Sequence, residues 1–331
     1  MKLLLTGGTG FIGSRLALEA RRQHLDVVVA GQLNTAQERA RQAELEAAGV
    51  QVAIGPLQNP DYARQITAGC QWVIHLAAAQ HEANVPDSYF RTANVEGTRT
   101  LLEASRAAGV QRFVHGSTIG VYGSASQGAL DESSPPHPDN IYGQTKLEAE
   151  AVVKSFRDKL PYCIVRISET YGPGDYRLLK LFRAIDRRRF PMIGAGRNHR
   201  QCIHVSDLAR LLLLVTESPA AVNETFIGAG NELMTTADMV NAIAQALGRK
   251  PLPVRLPLWP FVAAATVLET TLRPLGIQPP LHRRRLDFFR KSFVFSTDKA
   301  QGVLGFTSRI RFADGARETA AWYRDHRLLG K

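Results

Sequence analysis

Six short apolar runs mark the first half of the chain: KLLLT at 2–6, DVVVA at 26–30, VQVAI at 50–54, QWVIHLAA at 71–78, QRFVHGS at 111–117 and YCIVRI at 162–167. Each is rich in β-branched residues and nearly continuous, the pattern of parallel strands covered on both faces. Helical composition fills the gaps, at 11–22, 35–48, 60–68, about 86–108 and 140–158. This alternation predicts an α/β, doubly wound parallel sheet over residues 1–170. After residue 175 the pattern loosens into basic helices, turns at GAGRN and GAGNE, a helix at 235–247, a Pro-rich region at 251–280 and a last helix near 313–327. Residues 171–331 are therefore expected to form a smaller lobe that closes over the first, with some segments returning to the sheet.

The first strand runs into TGGTGFIG, residues 6–13, at the head of a helix beginning near Phe11. Gly7, Gly10 and Gly13 have the spacing of a dinucleotide-binding turn of the Rossmann type. Glycines there allow the tight turn, the close approach of a pyrophosphate and the packing of helix on sheet. The free N–H groups at the helix start would face the phosphates. Sites of this kind that prefer NAD carry an acid at the end of the second strand, about 20 residues on. Here that strand ends VVVAGQLN, with Gly31 at the acid's place. Nothing there repels a 2′-phosphate and Arg39 or Arg41 is near in sequence, so the expected cofactor is NADP(H) or NAD(H), with a lean to NADP(H).

NIYGQTKLEAE, residues 140–150, places Tyr142 and Lys146 one helical turn apart, on one face. A lysine ammonium beside a phenol, whose free pKa is about 10, favours the phenolate and would make the tyrosine a usable base.

Composition narrows the field. At 331 residues, 44% hydrophobic and 21% charged, the chain is an ordinary globular protein. Cys70, Cys163 and Cys202 are unclustered, so reduced thiols in the cytoplasm are expected, with no zinc site and no disulfide frame. MKLLLTGG is too short for a signal-peptide core. The formal net charge of +11 gathers at Arg183–Arg200 and Arg283–Lys291. An anionic substrate or an anionic membrane surface would suit it; nucleic acid is not expected, because no nucleic-acid module accompanies the charge. LPLWPFVAAATVL at 256–268 is too short to span a bilayer. It is expected to be a core or interface helix, with a homodimer contact or peripheral membrane contact as its further options.

With the glycine turn, HLAA at 75–78 and the Tyr142–Lys146 pair in one chain, the sequence resembles the extended short-chain dehydrogenase/reductase family. This is the branch of NAD(P)-dependent epimerases and dehydratases and their hydroxysteroid dehydrogenase relatives. NVEGT at 94–98, GSTIGVYG at 116–123, ETYGPGD at 169–175 and RQCIHVSDLA at 200–209 extend the likeness over nearly the whole chain. The resemblance implies hydride transfer at a secondary alcohol or ketone. Tyr142 would exchange the proton, Lys146 would lower its pKa and hold the nicotinamide ribose, and Thr118 would orient the substrate oxygen, with Ser117 beside it. Asn94 would be a supporting residue. Phe11, Ile12, Leu57 and Ala77 would border the cofactor with the glycines and Gly31. His75, His115 and His204 read as packing histidines.

Two features pull the substrate in different directions. Arg200 stands where nucleotide-sugar enzymes use an arginine on the diphosphate, and its forked guanidinium suits phosphate. Its alternative is a local ion pair with an acid such as Asp207. Glu169, also near the expected substrate site, is a poor neighbour for a diphosphate, and RLPLWPF…HRRRLDFF looks closer to the hydroxysteroid dehydrogenase-like members. A nucleotide-sugar epimerase or dehydratase is expected first. A sterol-type dehydrogenase and a non-catalytic dinucleotide-binding protein are the alternatives.

Overall fold

The structure, a computed structural model, describes residues 1–80, 85–123, 128–272 and 283–330. Strands β1 (Lys2–Thr6), β2 (Asp26–Gly31), β3 (Gln51–Ile54), β4 (Trp72–His75), β5 (Arg112–Thr118) and β6 (Tyr162–Ile167) alternate with helices α1 (Phe11–Arg22), α2 (Ala36–Ala47), α3 (Pro60–Thr67), α4 (Asp87–Arg91), α5 (Gly97–Ala107) and α6 (Ile141–Lys154). Then come the short strands β7 (Thr170–Tyr171), β8 (Met192–Ile193), β9 (His199–Arg200) and β10 (Ile203–His204), with α7 (Leu179–Asp186) and α8 (Val205–Glu217). The chain ends through β11 (Glu224–Gly228), β12 (Met234–Thr235), α9 (Thr236–Ala246), β13 (Arg255–Leu256), α10 (Trp259–Leu272), α11 (Arg283–Arg290), α12 (Asp298–Leu304) and α13 (Phe312–Asp325).

Seven strands form a parallel sheet in the order β11-β6-β5-β4-β1-β2-β3. Successive strand residues point to opposite faces, and both faces are filled. Leu3, Leu5, Val27, Val29, Ile74 and Val165 pack with residues of α1 and α8, including Leu16, Leu208 and Leu212. Leu4, Val28, Val73, Phe113 and Ile164 pack on the other side with Ile66, Leu101 and Val152 of α3, α5 and α6. That double covering is why the runs read as unbroken apolar stretches. The β1→β4 reversal beside β2 leaves a crevice at the carboxyl ends of the strands, the usual ligand position in such sheets.

The second half contributes to both lobes: α8 and β11 join the sheet, while α7, α9 and α13 build a separate core around Phe182, Met239, Ile243 and Tyr323. The arginine run at 283–285 lies on α11, but its side chains and residues 273–282 fall outside the described residues. No helix among the described residues is long and apolar enough to cross a membrane. On α10, Trp259 and Val267 face outward, 74% and 59% exposed.

Candidate functional site

The glycine turn lies where β1 gives way to α1. Gly7 has φ +70°, a conformation that favours glycine, and a Cβ there would lie 2.6 Å from the Ala77 nitrogen. A Cβ on Gly13 would lie 2.3 Å from the Gly7 carbonyl oxygen, so α1 packs against the turn only because that atom is missing. Gly10 caps α1 without a side-chain partner, and no acid stands in the first turn. The orphan N–H groups and the positive end of the helix are thus free for an anion.

This turn forms one wall of a cavity of about 650 Å³. Gly7, Gly10, Phe11, Ile12 and Gly13 line it, as do Gly31 and Leu57 from β2 and the β3–α3 loop, and Ala77 beyond β4. Ser117, Thr118 and Tyr142 line it as well. The room and the donor set fit a dinucleotide: a glycine cradle closed to any Cβ, free N–H groups, and hydroxyls at the other wall.

The approach of Tyr142 to Thr118 is built into α6. Asn140 caps the helix by accepting from the Gly143 N–H at 3.0 Å. A Cβ on Gly143 would lie 2.6 Å from the Gly120 carbonyl oxygen, so glycine lets the first turn of α6 sit against the end of β5. The Thr118 hydroxyl accepts from the Gly120 N–H at 3.0 Å, which leaves its proton to donate. Burial pushes the half-buried Tyr142 phenol up to about 12, while its hydrogen bond from Thr118 and the charge of Arg177 act the other way.

Lys146 is engaged by a histidine. It is buried, its pKa is brought down to about 7 by that burial, and its ammonium meets His115 Nε2 at 3.2 Å. The positive charge that lowers the Tyr142 pKa is that of Arg177. His75, bonded to Thr6 at 2.7 Å and Thr98 at 2.9 Å, is a satisfied core histidine. Asn94 lies in a single π-turn at Thr92–Glu96, a widening often found beside functional sites. Its amide accepts from the Ala79 N–H at 2.7 Å and donates to the Ala79 carbonyl and to Thr145, tying the cavity wall after β4 to α6.

The substrate-side residues divide. Ser117 donates its hydroxyl to Glu150 at 2.6 Å, so its proton is committed away from the cavity. Arg200 is 3% exposed and does not line the cavity. It pairs with Glu169, donates to the Phe288 carbonyl at 2.7 Å and stacks 4.4 Å from the Phe288 ring centroid. The local-pair alternative thus holds with a different acid: Asp207 pairs with Arg210 at 2.8 Å instead. Arg39 and Arg41 are turned to backbone carbonyls, Leu33 for the first and Gly174 for the second.

Three contributors escaped the sequence reading. Arg177 lines the cavity, held by Asp175 at 3.0 Å and by the Thr170 carbonyl at 2.6 Å. Glu150, one turn beyond Lys146 on α6, anchors Ser117 and Arg166. Its signal was Arg166 itself, a charge inside the apolar run YCIVRI that had to find a buried partner. Glu38 lines the cavity near Gly31.

Comparison with known proteins agrees with this geometry. A model of the NAD dependent epimerase/dehydratase family matches residues 3–228. The chain is 31% identical to a dTDP-glucose 4,6-dehydratase of Streptomyces niveus, over 99% of this chain and 94% of the relative. It is 30% identical to the 4-hydroxy-2-methyl-3-oxo-4-farnesyl-3,4-dihydroquinoline-1-oxide ketoreductase of Stigmatella aurantiaca, over 95% and 94%. Among solved structures, the dTDP-glucose 4,6-dehydratase DesIV of Streptomyces venezuelae, with NAD and TYD bound, superposes with a TM-score of 0.79 at 27% identity, covering 99% of this chain and 98% of that one.

Proposed function

Because the chain belongs to the NAD dependent epimerase/dehydratase family, we propose that it moves hydride at a secondary alcohol or ketone of a nucleotide-linked sugar, as an epimerase or dehydratase. The observation that carries this reading is that Thr118 and Tyr142 share one cavity with the glycine turn. The relatives that act on dTDP-glucose, matched over nearly their whole length, support the substrate class.

In this reading a nicotinamide dinucleotide supplies the hydride acceptor or donor. The residues that would hold it are Gly7, Gly10, Phe11, Ile12 and Gly13 at the pyrophosphate, Gly31, Leu57 and Ala77 along the cavity, and Tyr142 with Lys146 at the reacting end. Tyr142 takes the proton from the substrate hydroxyl during oxidation and returns it during reduction. Thr118 donates to the same substrate oxygen and fixes its angle, which raises the fraction of productive encounters. Epimerisation follows if the ketone turns its other face before reduction; oxidation and reduction then balance within one turnover. Residues 171–331 would supply most of the substrate contacts, with Arg177 rather than Arg200 as the cation that faces the cavity. Glu169 would act through Arg200, by holding it.

A second reading has two observations in its favour. The Arg200 guanidinium is engaged by Glu169 and Phe288, so it is not available to a diphosphate, and one relative is a ketoreductase. Reduction of an apolar or sterol-type ketone is that alternative. We further place the protein in the cytoplasm, where its three buried thiols stay reduced. The outward apolar face of α10 would meet a second copy or a membrane surface.

The test incubates the purified chain with UDP-, dTDP- and GDP-hexoses in the presence of either dinucleotide and follows sugar resonances by proton NMR. A new epimer or a 4-keto product supports the first reading. Dinucleotide binding with no nucleotide-sugar turnover, but with oxidation of the reduced cofactor by apolar ketones, replaces it with the second.

A further inference from the structure

We propose that Glu38, in the first turn of α2, receives the adenosine ribose hydroxyls and selects NAD(H) over NADP(H). The inference rests on the reading of the cavity as a dinucleotide site. Gly31 occupies the place of the usual acid, and the structure shows why no side chain stands there. A Cβ at position 31 would lie 2.4 Å from Thr9 Oγ1 and 2.8 Å from Thr9 Cγ2. Thr9 is buried, and its hydroxyl donates to the Gln32 carbonyl at 3.0 Å, locking the turn after β1 to the end of β2.

The acid is displaced, not lost. Glu38 lines the cavity together with Gly31, Gln32 and Asn34, and it is the one carboxylate among the described lining residues. A capping box fixes it: Glu38 Oε2 accepts from the Thr35 N–H at 2.8 Å and the Thr35 hydroxyl at 3.0 Å, and the Glu38 N–H donates to Thr35 Oγ1 at 3.2 Å. Glu38 Oε1 has no hydrogen bond among the described residues, so its lone pairs are free for a diol. A 2′-phosphate in that place would face a carboxylate and add a like charge.

The basic side chains nearest in sequence do not offset that repulsion. Arg39 donates to the Leu33 carbonyl at 2.8 Å, and Arg41 bridges the Thr9 and Gly174 carbonyls at 3.4 and 2.9 Å. The lean toward NADP(H) drawn from Gly31 alone is therefore reversed by a residue seven positions further on, which the sequence reading did not weigh.

The test is calorimetric titration of the nucleotide-free full chain with NAD⁺ and NADP⁺, for wild type, Glu38→Gln and Glu38→Ala. Glu38→Gln deletes the charge but keeps an acceptor for Thr35, so its melting temperature should stay close to that of wild type. Wild type is expected to prefer NAD⁺, and Glu38→Gln should shrink that preference by roughly tenfold, the worth of one charge-assisted contact. A wild-type preference for NADP⁺ overturns the inference, and so does an affinity ratio unchanged in both variants while both dinucleotides bind. Binding of neither dinucleotide to wild type overturns the dinucleotide reading and this inference with it.

Discussion

Replacing Glu150 tests what holds Tyr142 opposite Thr118. The Glu150 carboxylate is wholly buried on α6. It takes Arg166 Nε at 3.0 Å and Nη2 at 2.8 Å, and the Ser117 hydroxyl at 2.6 Å. Arg166, 4% exposed, turns its remaining nitrogen to the Tyr122 hydroxyl at 2.7 Å and the Glu132 carbonyl at 3.3 Å. Burial works against the Arg166 charge, but the Glu150 fork more than offsets it and leaves the pKa above its ordinary value. Glu150→Ala removes that counter-charge and strands a buried guanidinium, which typically costs ~3–5 kcal/mol. Lys154, half exposed and 3.8 Å from Glu150, adds little on either side. For 331 residues the unfolding entropy is on the order of 0.7 kcal/mol/K, so Tm should fall by about 4–7 °C.

Scanning calorimetry checks the magnitude, and the double variant Glu150→Ala/Arg166→Met checks the cause. Removing both charges takes away the stranded ion, so the double variant should melt above the single one. Ser117→Ala loses one charge-assisted bond and should cost less, ~1.5–3 kcal/mol. Glu150→Ala should also reduce turnover more than dinucleotide affinity, because the network joins α6 to β5 and β6 and not to the glycine turn. A single variant that melts within a degree of wild type, or a double variant no better than the single, refutes the reasoning.

Tyr142→Phe should lose roughly 10²–10⁴-fold in turnover while its dinucleotide affinity, by fluorescence titration, stays within a few-fold, since the ring remains and the ionisable oxygen is gone. Normal turnover in that variant would remove Tyr142 from the mechanism. Arg200→Ala should lower stability by ~1.5–3 kcal/mol and leave ligand affinity unchanged, because its partners are Glu169 and Phe288; a large drop in nucleotide-sugar affinity at unchanged Tm would return Arg200 to the substrate site. Acid should destabilise the fold early. Burial brings His75 down to about 3 and His204 down to about 4, with the nearby Lys146 charge adding to the effect on His75. The unfolded chain then takes up protons, below about 6.5, that these histidines refuse in the native state, so the stability they contribute is complete above that pH and is lost toward pH 4. Melting temperatures measured between pH 7.5 and 4.5 should fall throughout the acid half of that range; a flat profile down to pH 4.5 would contradict these assignments.

What the sequence made legible followed from its physics. β1, β2, β6 and α1 were readable to within a residue, because runs such as DVVVA are bounded by charges and glycines. β11 was not, because ETFIG is short and half polar and becomes a strand only by pairing with β6. The π-turn at Thr92–Glu96 has no compositional mark. The meeting of Thr118 and Tyr142 was legible through ordered motifs. The partners of Arg200 and Lys146 were not: Glu169 and His115 lie 31 positions away in each case, and only the folded sheet brings them close.

The Tyr142–Lys146 pair shows how far spacing alone can carry chemistry. A shared helix face puts both groups in the same low-dielectric wall, and burial drives each toward its neutral form, the acid up to about 12 and the base down to about 7. The Lys146 nitrogen is hydrogen-bonded to His115, and its charge acts on the buried histidines beside it. Arg177 is the cation whose charge lowers the pKa of the phenol. Asp175 holds that guanidinium in place at 3.0 Å and partly screens it. The phenol thus feels the charge of Arg177, held by Asp175, and a hydrogen bond from Thr118. In the proposed mechanism its readiness as a base would depend on Thr118 and Arg177 together, which one helix with Tyr and Lys four apart could not secure by itself.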